Sequence, residues 1–193
     1  MAKSSIYPNG DIRSKIFEHR AKKIDWEAIY ETVSYMAKFY NDRNLEDKSQ
    51  EYKESLVLFK RTGLNYFIRI STELLGEKNG YLISAAAYEA AQYDREKNCR
   101  KLDWRKNGPH YAEHLIPLGQ FVNDVIANPD IKNIKTLYKK QKIVIVLREE
   151  EKPKYDKGSF RTNRTDKDIK WFMNKFNIRP LKDFENSDKS RKT

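Results

Sequence analysis

The sequence predicts an α+β domain, predominantly helical, with a small β element late in the chain. Apolar residues recur at helical spacing through most segments between Trp26 and Phe176. The longest strongly apolar run, Ile143-Val144-Ile145-Val146-Leu147, has instead the length and β-branched composition of a strand. A chain of 193 residues suits one domain and can bury a core without staples. The expected organisation is a basic N-terminal arm over 1–23, a single domain over 24–184 and a disordered polar tail over 185–193.

Within the arm, Tyr7-Pro8-Asn9-Gly10 reads as a turn, and Arg13, Lys15, Arg20, Lys22 and Lys23 make the segment cationic. Asp25 can cap a helix beginning at Trp26, along which Ile29, Val33, Met36, Ala37 and Tyr40 repeat. A second helix is expected from Asp47 to Lys60 and, after an interruption at Thr62-Gly63, a third from Leu64 to Leu75. The segment Gly76 to Gly80 reads as a turn. A fourth helix, from Tyr81 to about Lys97, rests on the propensity of Ala85-Ala86-Ala87 and Ala90-Ala91.

An amphipathic helix is expected over Leu118 to Ala127. It ends at Asn128-Pro129-Asp130, because the residue before a proline is pushed out of the helical region. A short helix over Ile131 to Lys140 leads into the 143–147 strand. A lone strand cannot stand by itself; its partner is expected near Tyr111 to Ile116, or just beyond Tyr155. A last helix runs from Thr165 to Phe176.

Lysine and arginine number 39 against 28 acidic residues, for a net charge of +11. Such a surface attracts polyanions, nucleic acid first and an anionic membrane face second. The sole cysteine, Cys99, excludes an internal disulfide and any zinc site needing two thiolates. That usage fits a reducing cytosol, and the N-terminus has no apolar signal stretch, so a cytoplasmic location is expected. No apolar run approaches the ~20 residues of a membrane span. With seven glycines, no Gly-rich phosphate loop is present, nor a G-x-S-x-G elbow or a Cys-His nucleophile signature, and dinucleotide and P-loop chemistry are set aside.

Two of the three histidines lie in His110-Tyr111-Ala112-Glu113-His114, followed by Leu115-Ile116-Pro117. A carboxylate beside an imidazole can hold a metal or move a proton near neutral pH. As H-x-x-E-H the stretch matches a helical zinc pattern, but Pro109 and Pro117 leave little room for a long helix. Glu113-His114-Leu115-Ile116-Pro117 resembles the acidic-His-x-x-Pro element of HNH, or His-Me finger, endonucleases. The resemblance covers these five residues. It implies His114 as general base, Glu113 as ligand to one divalent cation (Mg²⁺ or Mn²⁺), and His110 as a second ligand or phosphate contact. In that family the motif continues through a hairpin with an Asn; here a helical pattern follows, with Asn123, Asn128 and Asn133 as stand-ins and Asn123 as a further metal ligand.

A second pattern competes. Pro129-Asp130 followed by Glu150-Glu151-Lys152 resembles PD-(D/E)xK nucleases, in which two carboxylates hold Mg²⁺ and the lysine positions the attacking water. Two basic, aromatic-bearing loops supply a third feature. One carries Arg100, Lys101, Trp104, Arg105 and Lys106. The other carries Lys154, Tyr155, Lys157, Arg161 and Arg164, with Phe160 and a Gly158 hinge. Cations contact phosphates and aromatic faces stack on bases, although charge runs also arise as solvated faces. The leading expectation is a metal-dependent nuclease acting on DNA or RNA. The alternative is a non-catalytic nucleic-acid-binding or regulatory protein of the phage or mobile-element type, and a further one is a module whose basic face meets an acidic protein.

Overall fold

The computed structural model describes residues 24–41, 46, 48–94, 99–102, 108–151 and 163–190. The fold is α+β and predominantly helical around a small sheet. Helix α1 spans Trp26–Asn41 and is opened by the Asp25 carboxylate, which accepts from the Glu27 and Ala28 amides at 2.9 and 3.3 Å. Helix α2 (Gln50–Leu58) runs through a π segment (Phe59–Leu64) into α3 (Asn65–Asn79). The interruption expected at Thr62-Gly63 is therefore a local widening of one continuous helix. It re-aims the following turns so that Leu64 and Ile68 are both fully buried.

Helix α3 ends at Gly80, whose φ of +86° is open to glycine and strained for other residues. Gly76 lies inside that helix, where a Cβ would come within 2.9 Å of both Ile143 Cγ1 and Tyr81 Cε1. Alanine there gains about 1 kcal/mol of helix propensity and forces a well-packed contact worth about 1–3 kcal/mol. We expect Gly76→Ala to lower the urea unfolding free energy by about 1 kcal/mol; a rise would mean that the Ile143 and Tyr81 side chains yield freely.

The helix expected from Tyr81 to Lys97 does not form. The segment is split into strand β1 (Leu82–Ile83), the short helix α4 (Ala85–Ala90) and strand β2 (Gln92–Asp94), which pairs antiparallel with β3 (Cys99–Lys101). Tertiary pairing overrides alanine propensity here: β1 fits beside the apolar central strand and buries Ile83 completely.

Strand β4 (His110–His114) pairs antiparallel with β5 (Ile143–Leu147), so the expected partner segment near Tyr111 is the one used. Helices α5 (Leu118–Ala127) and α6 (Ile131–Lys140) lie between the two strands in sequence, with the bounds the periodicity predicts. This long connection differs from the hairpin that the HNH resemblance implies. A 3₁₀ turn (Arg148–Glu151) closes β5. Helix α7 (Asp166–Lys175) starts at a capping box formed by Thr165 and Asp168. The chain then adds β6 (Arg179–Pro180) and α8 (Leu181–Ser190). The expected polar tail is thus helical as far as Ser190. That helix is anchored before the tail begins: Leu181 and Phe184 pack on the sheet, and Phe184 stacks on Tyr88 at 4.9 Å.

The sheet order is β4-β5-β1-β6, with β1 parallel to β5 and the outer pairs antiparallel. Ile143 and Ile145 point from β5 to one side, into a cluster with Tyr81, Ile83, Ala87 and Tyr88. Val144 and Val146 point to the other, against Phe172 of α7 and Ile178. A third cluster joins α1, α3, α5 and α6 through Val33, Ile68, Phe121, Ile134 and Tyr138. Among the described residues no helix is long and apolar enough to cross a membrane.

Candidate functional site

Among the described residues the His110–His114 stretch is one of the two edge strands of the sheet, and strand geometry sorts its side chains. Successive residues point to opposite faces. His110, Ala112 and His114 face the side of α3 and α4; Tyr111 and Glu113 face the side of α7. The structure therefore separates the two groups that the HNH resemblance joins.

On the first face, His110 is 1 % exposed and its Nε2–H donates to the Ala87 carbonyl at 2.9 Å. His114 Nε2 lies 2.9 Å from Thr72 Oγ1. The Thr72 hydroxyl also lies 2.9 Å from the carbonyls of Ile68 and Arg69; with its one proton on either of these, it accepts from His114 Nε2–H. Burial, then the nearby charges of Arg69 and Arg164, pull the His114 pKa down to about 4. The imidazole is neutral at pH 7, but a base this weak has little drive to take a proton from water.

On the opposite face, the Arg164 guanidinium pairs with Glu113 and donates from Nη1 to the carbonyls of His114 and Leu115, each at 3.0 Å. Its plane lies over the Phe172 ring, 5.3 Å from the centroid. The backbone of Arg164 is held by Gln120 in both directions: Arg164 N–H donates to Oε1 at 2.7 Å, and Nε2 donates to the Arg164 carbonyl at 3.0 Å. Burial lowers the Arg164 pKa to about 10, which leaves it charged at neutral pH. At 3 % exposure Arg164 is not the outward phosphate contact expected of it. It is a clamp that fastens the start of α7 to the end of β4.

The sequence missed the partners of this arrangement. Thr72, Gln120 and Gln141 carry no motif. Gln141 is buried and bonds the Ile116 amide and carbonyl at 2.9 and 2.8 Å, which extends the β4–β5 pairing by one side chain.

The other sequence candidates are dispersed. Asn123 lies on α5, where its Oδ1 accepts from Lys60 Nζ at 2.8 Å. Asp130 caps α6 by accepting from the Lys132 and Asn133 amides at 2.8 and 3.3 Å. Glu150 accepts from Ser84 Oγ at 2.6 Å and from the Leu147 amide at 2.7 Å, so it ties the start of α4 to the end of β5. Both carboxylates of the PD-(D/E)xK pattern thus serve backbone termini, and Lys152 lies outside the described residues. So do Trp104, Arg105, Lys106, Lys154, Tyr155, Lys157 and Arg161. Arg100 and Lys101 lie on β3.

The ligand set named for Mg²⁺ or Mn²⁺, namely Glu113, His110 and Asn123, does not fit one ion. Glu113 and His110 point to opposite faces, and Asn123 is bonded to Lys60 on a helix. Among the described residues no group of three or more His, Cys, Asp or Glu is placed to hold a metal. No known protein family, curated protein or solved structure matches the chain.

Proposed function

We propose that this chain is a basic nucleic-acid-binding protein whose described core acts as a scaffold and not as a catalyst. The observation that carries the reading is the net charge of +11. A surface of that sign releases counterions from a phosphate backbone when it binds, and this term dominates sequence-independent affinity. Support also comes from the use of Glu113, His114, Asp130 and Glu150 in bonds that hold the fold together.

The test is a salt titration with a fluorescent DNA duplex and a single-stranded RNA of equal length. We expect log K to fall linearly with log salt, by about 0.7–0.9 for each phosphate contacted. Incubation of the same probes with Mg²⁺ or Mn²⁺ should leave them intact. Cleavage that disappears in His114→Ala would restore the HNH reading, and cleavage that needs Asp130, Glu150 and Lys152 would restore the PD-(D/E)xK reading. Failure to bind either probe at low salt sinks the proposal.

A further inference from the structure

Apart from the basic loops expected from the sequence, the described helices hold a cationic face of a different kind. Helix α6, Ile131–Lys140, carries Lys132, Lys135, Lys139 and Lys140 and no acidic residue. Each of the other described α-helices carries at least one Asp or Glu. Helical periodicity gathers the four lysines and Thr136 on the outer side, where all five are exposed. The inner side is used by Ile134 and Tyr138, both fully buried. Lys135 pairs with Glu27 of α1 at 2.5 Å. Lys132, Lys139 and Lys140 form no ion pair among the described residues.

We propose that this face of α6 is a docking surface for the sugar-phosphate backbone of nucleic acid, an inference that rests on the nucleic-acid-binding reading above. Lys132 and Lys140 are separated by about 12 Å along the helix, close to the ~12 Å width of a major groove. Measured along a duplex axis, where each strand carries one phosphate per ~3.4 Å, that distance covers three to four phosphate steps of one strand. An anionic membrane is the poorer fit. Amphipathic helices that lie on lipid insert an apolar face, and the apolar face of α6 is spent on the core. An acidic protein partner is a poorer fit as well. Protein interfaces are anchored by buried aromatic and apolar side chains, and the exposed side of α6 offers lysine and threonine alone.

The test uses the full chain carrying Lys132→Gln, Lys139→Gln and Lys140→Gln together. A control carries Lys167→Gln, Lys170→Gln and Lys175→Gln, three exposed lysines of α7. Circular dichroism and thermal unfolding should match the unsubstituted chain, since exposed substitutions of this kind shift stability little. On the DNA duplex, the α6 variant should bind at least about tenfold more weakly at moderate salt, with a log K–log salt slope shallower by about 2–3. The α7 control should change the slope by less than half as much. Lys135→Gln alone should have a small effect, because its charge is already paired with Glu27. An unchanged slope in the α6 variant overturns this surface while leaving the nucleic-acid reading intact. An equal loss in the α7 control overturns it too, since overall charge alone would then account for binding. Loss of affinity for phosphatidylserine vesicles or polyglutamate with duplex binding unchanged overturns it in favour of another polyanion. Absence of duplex and RNA binding in the unsubstituted chain defeats this inference and the reading beneath it together.

Discussion

Arg164→Met should destabilise the protein by about 3–5 kcal/mol in urea unfolding, the cost of removing one partner from a buried ion pair. The Arg164 side chain is 1 % exposed and that of Glu113 is 15 % exposed. Methionine fills most of the volume over Phe172 but takes the guanidinium away from the Glu113 carboxylate and from the carbonyls of His114 and Leu115. Arg164→Lys keeps the charge and loses the planar fork, so it should fall between wild type and Arg164→Met. Adding Glu113→Leu to Arg164→Met should recover part of the loss, because the double variant also removes the carboxylate that faced the guanidinium. A contact with phosphate predicts the reverse pattern: weakened nucleic-acid binding with little change in stability. That result would remove the clamp.

The residues of this clamp explain what the sequence could and could not tell. Elements whose pattern is local were legible. Helices α5 and α6 and strand β5 follow from amphipathic spacing, Asn128-Pro129-Asp130 and the apolar run. The β4 partner was narrowed to two segments, one of them correct, because an apolar strand must pair. The region after Tyr81 departs from its helical pattern because alanine propensity is weak, and a strand partner some sixty residues away outweighs it: Leu82 pairs with Val144 and Ile83 with Ile145. The candidate site failed for a related reason. Glu113 and His114 are neighbours in sequence, and a motif treats neighbours as colleagues. Only the assignment of that stretch to a strand reveals that they serve opposite faces. Their true partners, Arg164 and Thr72, are 51 and 42 residues away, and such separations leave no mark in a single sequence.

The neutral state of His114 has a consequence for stability against pH. In the folded chain its pKa is about 4, against 6.5 for an unperturbed imidazole, with burial as the first cause and Arg69 and Arg164 adding to it. Between those values the unfolded chain binds a proton that the folded chain refuses. Stability therefore falls as pH drops from about 6.5 to about 4 and changes little through this group above or below that window. The full loss from this residue is about 3 kcal/mol. Unfolding midpoints in urea, followed across the window for wild type and His114→Gln, should give two curves that converge toward low pH, because glutamine has no proton to gain. Arg69 donates from Nε to Glu73 at 3.1 Å and is well exposed, so Arg69→Gln should raise the His114 pKa only modestly and added salt should do the same. Parallel curves for wild type and His114→Gln would mean that the imidazole is solvated and free to ionise. The Thr72 bond would then fail as a description of the site, and the general-base role would become open again.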